Sequence, residues 1–104
     1  MLLRKRKERS IEMIFVINKL KYDTDKMELV SDKCKYTYCY CSFGIHYYAK
    51  DVKLWKSKKD NWLLTYKTDI ENCGKALSRE EAQKLLIDYD LDTYERIFGK
   101  LEEA

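Results

Sequence analysis

What most constrains this chain is where its helix-opening signals fall. Ser78-Arg79-Glu80-Glu81 sets a Ser three residues before a Glu, and Asp92-Thr93-Tyr94-Glu95 repeats the spacing with an Asp. In such a capping box the first side chain accepts a backbone N–H from the opening turn, while the Glu reaches back to the cap's own N–H. Two short helices are therefore predicted near the C-terminal end, one from Leu77 to Ile87 and one capped by Asp92. Apolar spacing has the first bury Ala82, Leu85 and Leu86, and the second Tyr94, Ile97 and Phe98. Gly99 stands where a helix end favours a left-handed residue.

Upstream of Leu77 the pattern is that of strands. Glu12 to Ile17 reads as one, and Lys19 to Tyr22 as its continuation or a second. Asp23-Thr24-Asp25-Lys26 is turn chemistry, because an Asp side chain bonds the amide two residues on. Met27 to Val30 then returns as the partner in a first hairpin. From Lys35 to Phe43 the residues alternate, with Tyr36, Tyr38, Tyr40 and Ser42 on one face and Thr37, Cys39, Cys41 and Phe43 on the other. Gly44 interrupts, and Ile45 to Ala49 resumes. Val52 to Lys56 and Trp62 to Tyr66 form a second hairpin around Ser57-Lys58-Lys59-Asp60-Asn61, and Asn72-Cys73-Gly74 reads as a further turn. The expected fold is α+β, a mostly antiparallel β-sheet of about four to six strands with two short C-terminal helices packed on one face. Residues 1–12 read as a basic, flexible lead, and residues 13–104 as a single domain.

Charge is distributed unevenly along the chain. Residues 1–9 hold five basic side chains against one acidic, residues 10–68 eleven against seven, and residues 69–104 five against ten. The chain thus runs from basic to acidic. Its longest apolar run, Met13 to Ile17, is far short of the roughly 20 residues of a membrane span and too short for the core of a secretion signal. Four cysteines without such a signal imply thiols in a reducing compartment, and hence a cytoplasmic protein.

No reaction is set up by these residues. Cys34, Cys39, Cys41, Cys73 and His46 are the zinc-ligand types, but a structural zinc site wants paired ligands two to four residues apart in turns. Cys39 and Cys41 share a strand face instead and read as small core hydrophobes. Cys41 with His46 would be a nucleophile and base, yet no third group orients them. Asp23 with Asp25, and Asp90 with Asp92, are explained by turn formation and capping. No catalytic residue, metal ligand or cofactor site is assigned.

The remaining signal is the mixture of rings and lysines on the strands. Nine tyrosines are present, and tyrosine suits half-exposed sheet faces and interfaces. Tyr36, Tyr38, Tyr40, Tyr47, Tyr48, Trp55, Lys58 and Lys59 are the candidate contact residues. Three readings fit them: a solvated sheet face, a protein-binding face, or a surface where bases stack on rings and lysines track phosphates. The acidic side chains of the C-terminal end, Glu80, Glu81, Asp88, Asp90, Asp92, Glu95, Glu102 and Glu103, would imitate phosphates toward a basic partner, the last two alternatively being a solvated tail. Those in the first turns also compensate the helix dipole.

Four segments in order, Lys21 to Asp25, Leu54 to Leu64, Leu77 to Ala82 and Tyr94 to Gly99, resemble a family of small proteins carried on phages and conjugative elements of low-GC Gram-positive bacteria. The resemblance spans roughly residues 13–104. It implies a mobile-element origin, and such neighbourhoods include inhibitors of host defence, anti-CRISPR proteins among them. One departure is that the glycine-rich loop expected before the first helix is here Lys67 to Lys75, with Gly74 alone. The resulting expectation is a non-enzymatic inhibitor that binds a bacterial defence protein such as a CRISPR effector nuclease and blocks its access to guide RNA or DNA. The alternatives are a nucleic-acid-binding accessory protein using the Lys/Tyr-rich face, and a subunit that homodimerises through the exposed sheet.

Overall fold

The computed structural model describes residues 13–39 and 44–104. The basic lead and the stretch from Tyr40 to Phe43 lie outside the described residues. Among the described residues the elements are, in chain order, β1 (Ile14–Ile17), β2 (Leu20–Asp23), a 3-10 turn (Thr24–Lys26), β3 (Glu28–Ser31), β4 (Thr37–Cys39), β5 (His46–Tyr48), β6 (Lys50–Lys56), β7 (Trp62–Lys67), β8 (Asn72–Leu77), α1 (Arg79–Tyr89) and α2 (Leu91–Phe98). The α+β class holds, with both helices at the C-terminal end. The strands, however, divide into a four-stranded antiparallel sheet ordered β3-β6-β7-β8 and two separate hairpins, β1–β2 and β4–β5.

The first hairpin differs from expectation. Its partner strand is β2 and not the Met27–Val30 segment, and its turn is Asn18-Lys19, with Ile17 opposite Leu20. Both turn residues have positive φ, 52° and 67°. Such a two-residue turn matches the right-handed twist of the strands it joins. Asn tolerates that conformation, but Lys gives no sequence cue for it. Thr24 extends the hairpin, its amide donating to the Met13 carbonyl at 3.0 Å and its hydroxyl accepting the Met13 amide at 3.1 Å. Because a non-Gly residue in the left-handed region costs about 1–2 kcal/mol, Lys19→Gly is expected to stabilise the fold by about 1 kcal/mol, less the added freedom of the unfolded chain. Urea denaturation would check it, as a raised midpoint at unchanged slope.

Strand β3 crosses to the main sheet and pairs with β6, Leu29 opposite Trp55 and Ser31 opposite Leu54, with a bulge between. The bulge leaves both Val30 and Ser31 buried. Across the sheet the registers Leu54–Leu64 and Trp62–Leu77 put these side chains on one face. That face meets Ala82 and Leu86 of α1 and the half-buried Tyr94, Ile97 and Phe98 of α2. Each fully buried leucine here contributes about 1.5–3 kcal/mol of apolar burial.

The opposite face carries Trp55, Leu63, Thr65, Gly74 and Ala76. Asn72-Cys73-Gly74, read from sequence as a turn, is instead the opening half of β8, paired with Lys67, Tyr66 and Thr65. The physical reason for Gly74 is close approach: a Cβ there would sit 2.7 Å from Phe15 Cγ. The β1–β2 hairpin thus lies over this face through Phe15, and Leu63 beneath is fully buried.

The helix caps confirm one expectation and correct another. Ser78 and Glu81 form the full capping box, the Glu81 amide donating to Ser78 Oγ at 3.1 Å and the Ser78 amide to Glu81 Oε1 at 2.9 Å. This donation from the Ser78 backbone holds the Glu81 carboxyl below its ordinary range. The cap of α2 is Asp90 and not Asp92, which sits in the first turn. Asp90 closes α1 and opens α2 at once, its own amide donating to the Leu86 carbonyl at 2.7 Å and its carboxylate accepting the Thr93 amide at 3.4 Å. At the far end Gly99 has φ 101° and ψ 162°, a region open essentially to glycine alone. No helix among the described residues is long and apolar enough to cross a membrane.

Candidate functional site

The β4–β5 hairpin stands apart from the main sheet as an arm, and the tyrosines make its surface. Tyr38 is registered opposite Tyr47, and Thr37 opposite Tyr48, so Tyr38 and Tyr47 share one face while Tyr48 lies on the other. The Tyr38 and Tyr47 ring centres are 5.7 Å apart. Tyr36, at the base of the arm, packs on Tyr66 of β7 at 4.6 Å, and Tyr38 stacks near the same ring at 6.5 Å. A ladder of four rings thus runs from the sheet onto the arm. At its foot Lys75 Nζ lies 5.4 Å from the centre of the Tyr36 ring, within the reach of a cation–π contact.

The ladder is partly self-directed. Tyr36, Tyr38 and Tyr66 are half-buried, and much of their apolar area is spent on one another. Burial, then the neighbouring Tyr36, pushes the Tyr66 hydroxyl up to about 12, so this ring stays neutral. The outward area belongs to Tyr47, 41% exposed, and to Tyr48, 75% exposed. Tyr48 also borders a groove of about 330 Å³ between the arm and α1, whose apolar lining includes Tyr36, Leu85 and Tyr89 and whose charged lining is Lys35, Lys75 and Lys84 with Glu81 and Asp88. Lys84 is held by Asp88 one helical turn away at 3.1 Å.

The other sequence candidates lie elsewhere. Trp55 is on the far face of the sheet, its indole N–H donating to Thr65 Oγ1 at 2.8 Å. Lys58 and Lys59 occupy the β6–β7 turn, which is closed by the Ser57 amide donating to the Asn61 carbonyl at 2.8 Å and by Asp60 at φ 67°. That turn and the arm stand at opposite ends of β6, a strand of seven residues and so roughly 20 Å long. Tyr40 lies outside the described residues. Four candidates are therefore brought together, Tyr36, Tyr38, Tyr47 and Tyr48, and three are not. Tyr66, Lys75 and Tyr89 join the site without having been read from sequence. Tyr66 ended a strand read only as one half of the second hairpin, and Tyr89 lies past the predicted helix end.

The thiols are spread out. Cys34 is buried in the core and Cys73 half-buried on β8, but Cys39, read from sequence as a small core residue, is instead exposed opposite His46, because its strand belongs to the separate hairpin and not to the main sheet; Cys41 lies outside the described residues. Burial raises the Cys34 and Cys73 thiols above their ordinary range, with Asp90 and Glu71 adding to it respectively. Both therefore stay protonated and weakly nucleophilic at neutral pH. Among the described residues no three His, Cys, Asp or Glu side chains gather as metal ligands. No known protein family, curated protein or solved structure matches this chain.

Proposed function

We propose that this chain is a binding protein that recognises a partner protein through the tyrosine arm and the groove beside α1. The observation that carries this reading is the exposure of Tyr47 and Tyr48 on a two-stranded hairpin outside the main sheet. Interfaces are enriched in tyrosine because a large, stiff ring covers area at low entropic cost and its hydroxyl finds a partner. Here the inner rings of the ladder fix the arm, and the outer two are presented. The mixed charges around the groove, with Lys84 already paired to Asp88, suit a protein surface better than a uniform polyanion.

The partner class comes from the resemblance described above. It is a bacterial host's defence protein, first of all a CRISPR effector nuclease in the cytoplasm, whose loading with guide RNA or DNA the bound protein would obstruct. Affinity capture by the tagged protein from a lysate with active CRISPR systems tests this, with and without nuclease treatment. Retention of an effector nuclease after treatment is expected, and Tyr48→Ala should weaken it about 30-fold if the ring is an interface anchor worth about 2 kcal/mol. Tyr47→Ala should act in the same direction. Effector capture unchanged in both variants would remove the arm from the interface. Recovery of nucleic acid alone, lost on treatment, would favour the accessory-protein reading.

A further inference from the structure

At the end of the sheet away from the arm, the β6–β7 turn and the β1–β2 hairpin border a groove of about 1000 Å³. Five lysines line it: Lys21 from β2, Lys26 from the 3-10 turn, and Lys56, Lys58 and Lys59 from β6 and its turn. Lys56 has Asp60 at 3.9 Å and Glu28 opposite in register. The other four, Lys21, Lys26, Lys58 and Lys59, have no ion-pair partner among the described residues. Three carboxylates also border the groove. Asp23 is buried and accepts the Asp25 amide at 3.0 Å, and Glu28 faces Lys56 across the strands. Five ammonium groups thus face three carboxylates, and the groove keeps a surplus of positive charge.

We infer that this groove binds the phosphodiester backbone of single-stranded nucleic acid. The ammonium groups come from separate segments and surround a concavity, so their mutual repulsion is relieved by an anion lying between them. Lysines act on phosphates as point charges on flexible stems, which follow a chain without demanding one geometry. Tyr22, the aromatic residue in the lining, is buried, so no ring offers a stacking platform. Recognition is therefore electrostatic and indifferent to base sequence. This inference concerns a different surface from the tyrosine arm and stands independently of the protein-binding reading.

The test is fluorescence anisotropy of labelled oligothymidylate and oligouridylate titrated with the full chain. Four phosphate contacts predict a salt slope of about −2.8, or roughly a 50-fold loss of affinity between about 50 and 200 mM salt. Reversing the turn charges, Lys58→Glu with Lys59→Glu, should weaken binding at least about tenfold. Lys58→Arg with Lys59→Arg should retain it, and Tyr48→Ala should leave it unchanged. These turn residues are exposed, and an unaltered melting temperature verifies that the variants fold. Absence of binding at low salt, or affinity untouched by the double reversal, would overturn the inference. Displacement of the oligonucleotide by polyglutamate at equal charge concentration would also overturn it, assigning the groove to an acidic protein surface.

Discussion

Asp90→Ala is expected to destabilise this protein by about 3 kcal/mol, counting about 1 for the lost helix cap and the rest for hydrogen bonds to a buried charge. For a domain of this size the melting temperature should fall on the order of 15 °C. The Asp90 carboxylate is buried and holds three elements together. Ser31 Oγ of β3 donates to its Oδ2 at 2.7 Å, Thr93 Oγ1 donates to the same oxygen at 2.7 Å, and the Thr93 amide caps α2. Alanine would leave the Ser31 and Thr93 hydroxyls without this acceptor. Asp90→Asn keeps an acceptor and should cost less.

The same residue gives the prediction a pH signature. Burial alone would raise the Asp90 carboxyl, but the hydrogen bonds from Ser31 and Thr93 outweigh it and hold the group below its ordinary range. A depressed folded-state value means that the contribution is fully present above the unfolded value of about 4 and fades as pH falls through the folded value. Acid destabilisation below about pH 4 should therefore be shallower in Asp90→Asn than in the parent chain. Equal acid slopes in the two proteins would show that other carboxylates carry the effect.

Gly74→Val should destabilise by about 3 kcal/mol through overpacking against Phe15, even though valine is the better strand former. The clash falls on the ring's root, Cγ, with both Cδ atoms at 2.8 Å, so turning the ring cannot relieve it and the β1–β2 hairpin must lift. Amide exchange should then quicken in β1 and β2 while β6 and β7 stay protected. A double-mutant cycle isolates the cause. In a Phe15→Ala background Gly74→Val should be close to neutral, since the contact is gone and the entropic cost of a strand glycine is relieved. A full penalty in that background would place the constraint in the β8 backbone.

The sequence disclosed most where local chemistry alone decides. Ser78 and Glu81 cap α1 as their spacing predicts, and the alternation from Lys35 onward put Tyr36 and Tyr38 on one face of the arm. What escaped depended on distant neighbours. Gly74 looked like a turn residue because the ring it accommodates is carried on β1. Asn18-Lys19 hid a tight turn because lysine is not a left-handed residue by preference. Asp92 fitted the capping spacing, but Asp90 won because Ser31, brought in by a bulge in β3, supplies a partner that no local pattern reveals. For the same reason the candidate surface was half legible: cross-strand register assembles the tyrosines of the arm, while the lengths of β6 and β7 carry Trp55, Lys58 and Lys59 away from them.

The arm interrupts two hydrogen-bonded neighbours. Strands β3 and β6 lie side by side, yet the chain leaves one, runs out through β4 and β5, and returns to the other. The excursion is pinched at its base, where the Ala49 amide donates to the Tyr36 carbonyl at 2.9 Å, with Cys34 and Val52 rooted in the core on either side. Scaffold and display are thereby uncoupled. Apart from Tyr38, whose ring lies near Tyr66, the described residues of the arm are exposed, and exchanging them leaves the sheet and helices in register, much as an antibody varies its loops on a constant frame. A lineage under pressure from a changing partner could rewrite Thr37, Cys39, His46, Tyr47 and Tyr48 at little cost to folding, and an engineer grafting a new recognition hairpin would cut at the neck.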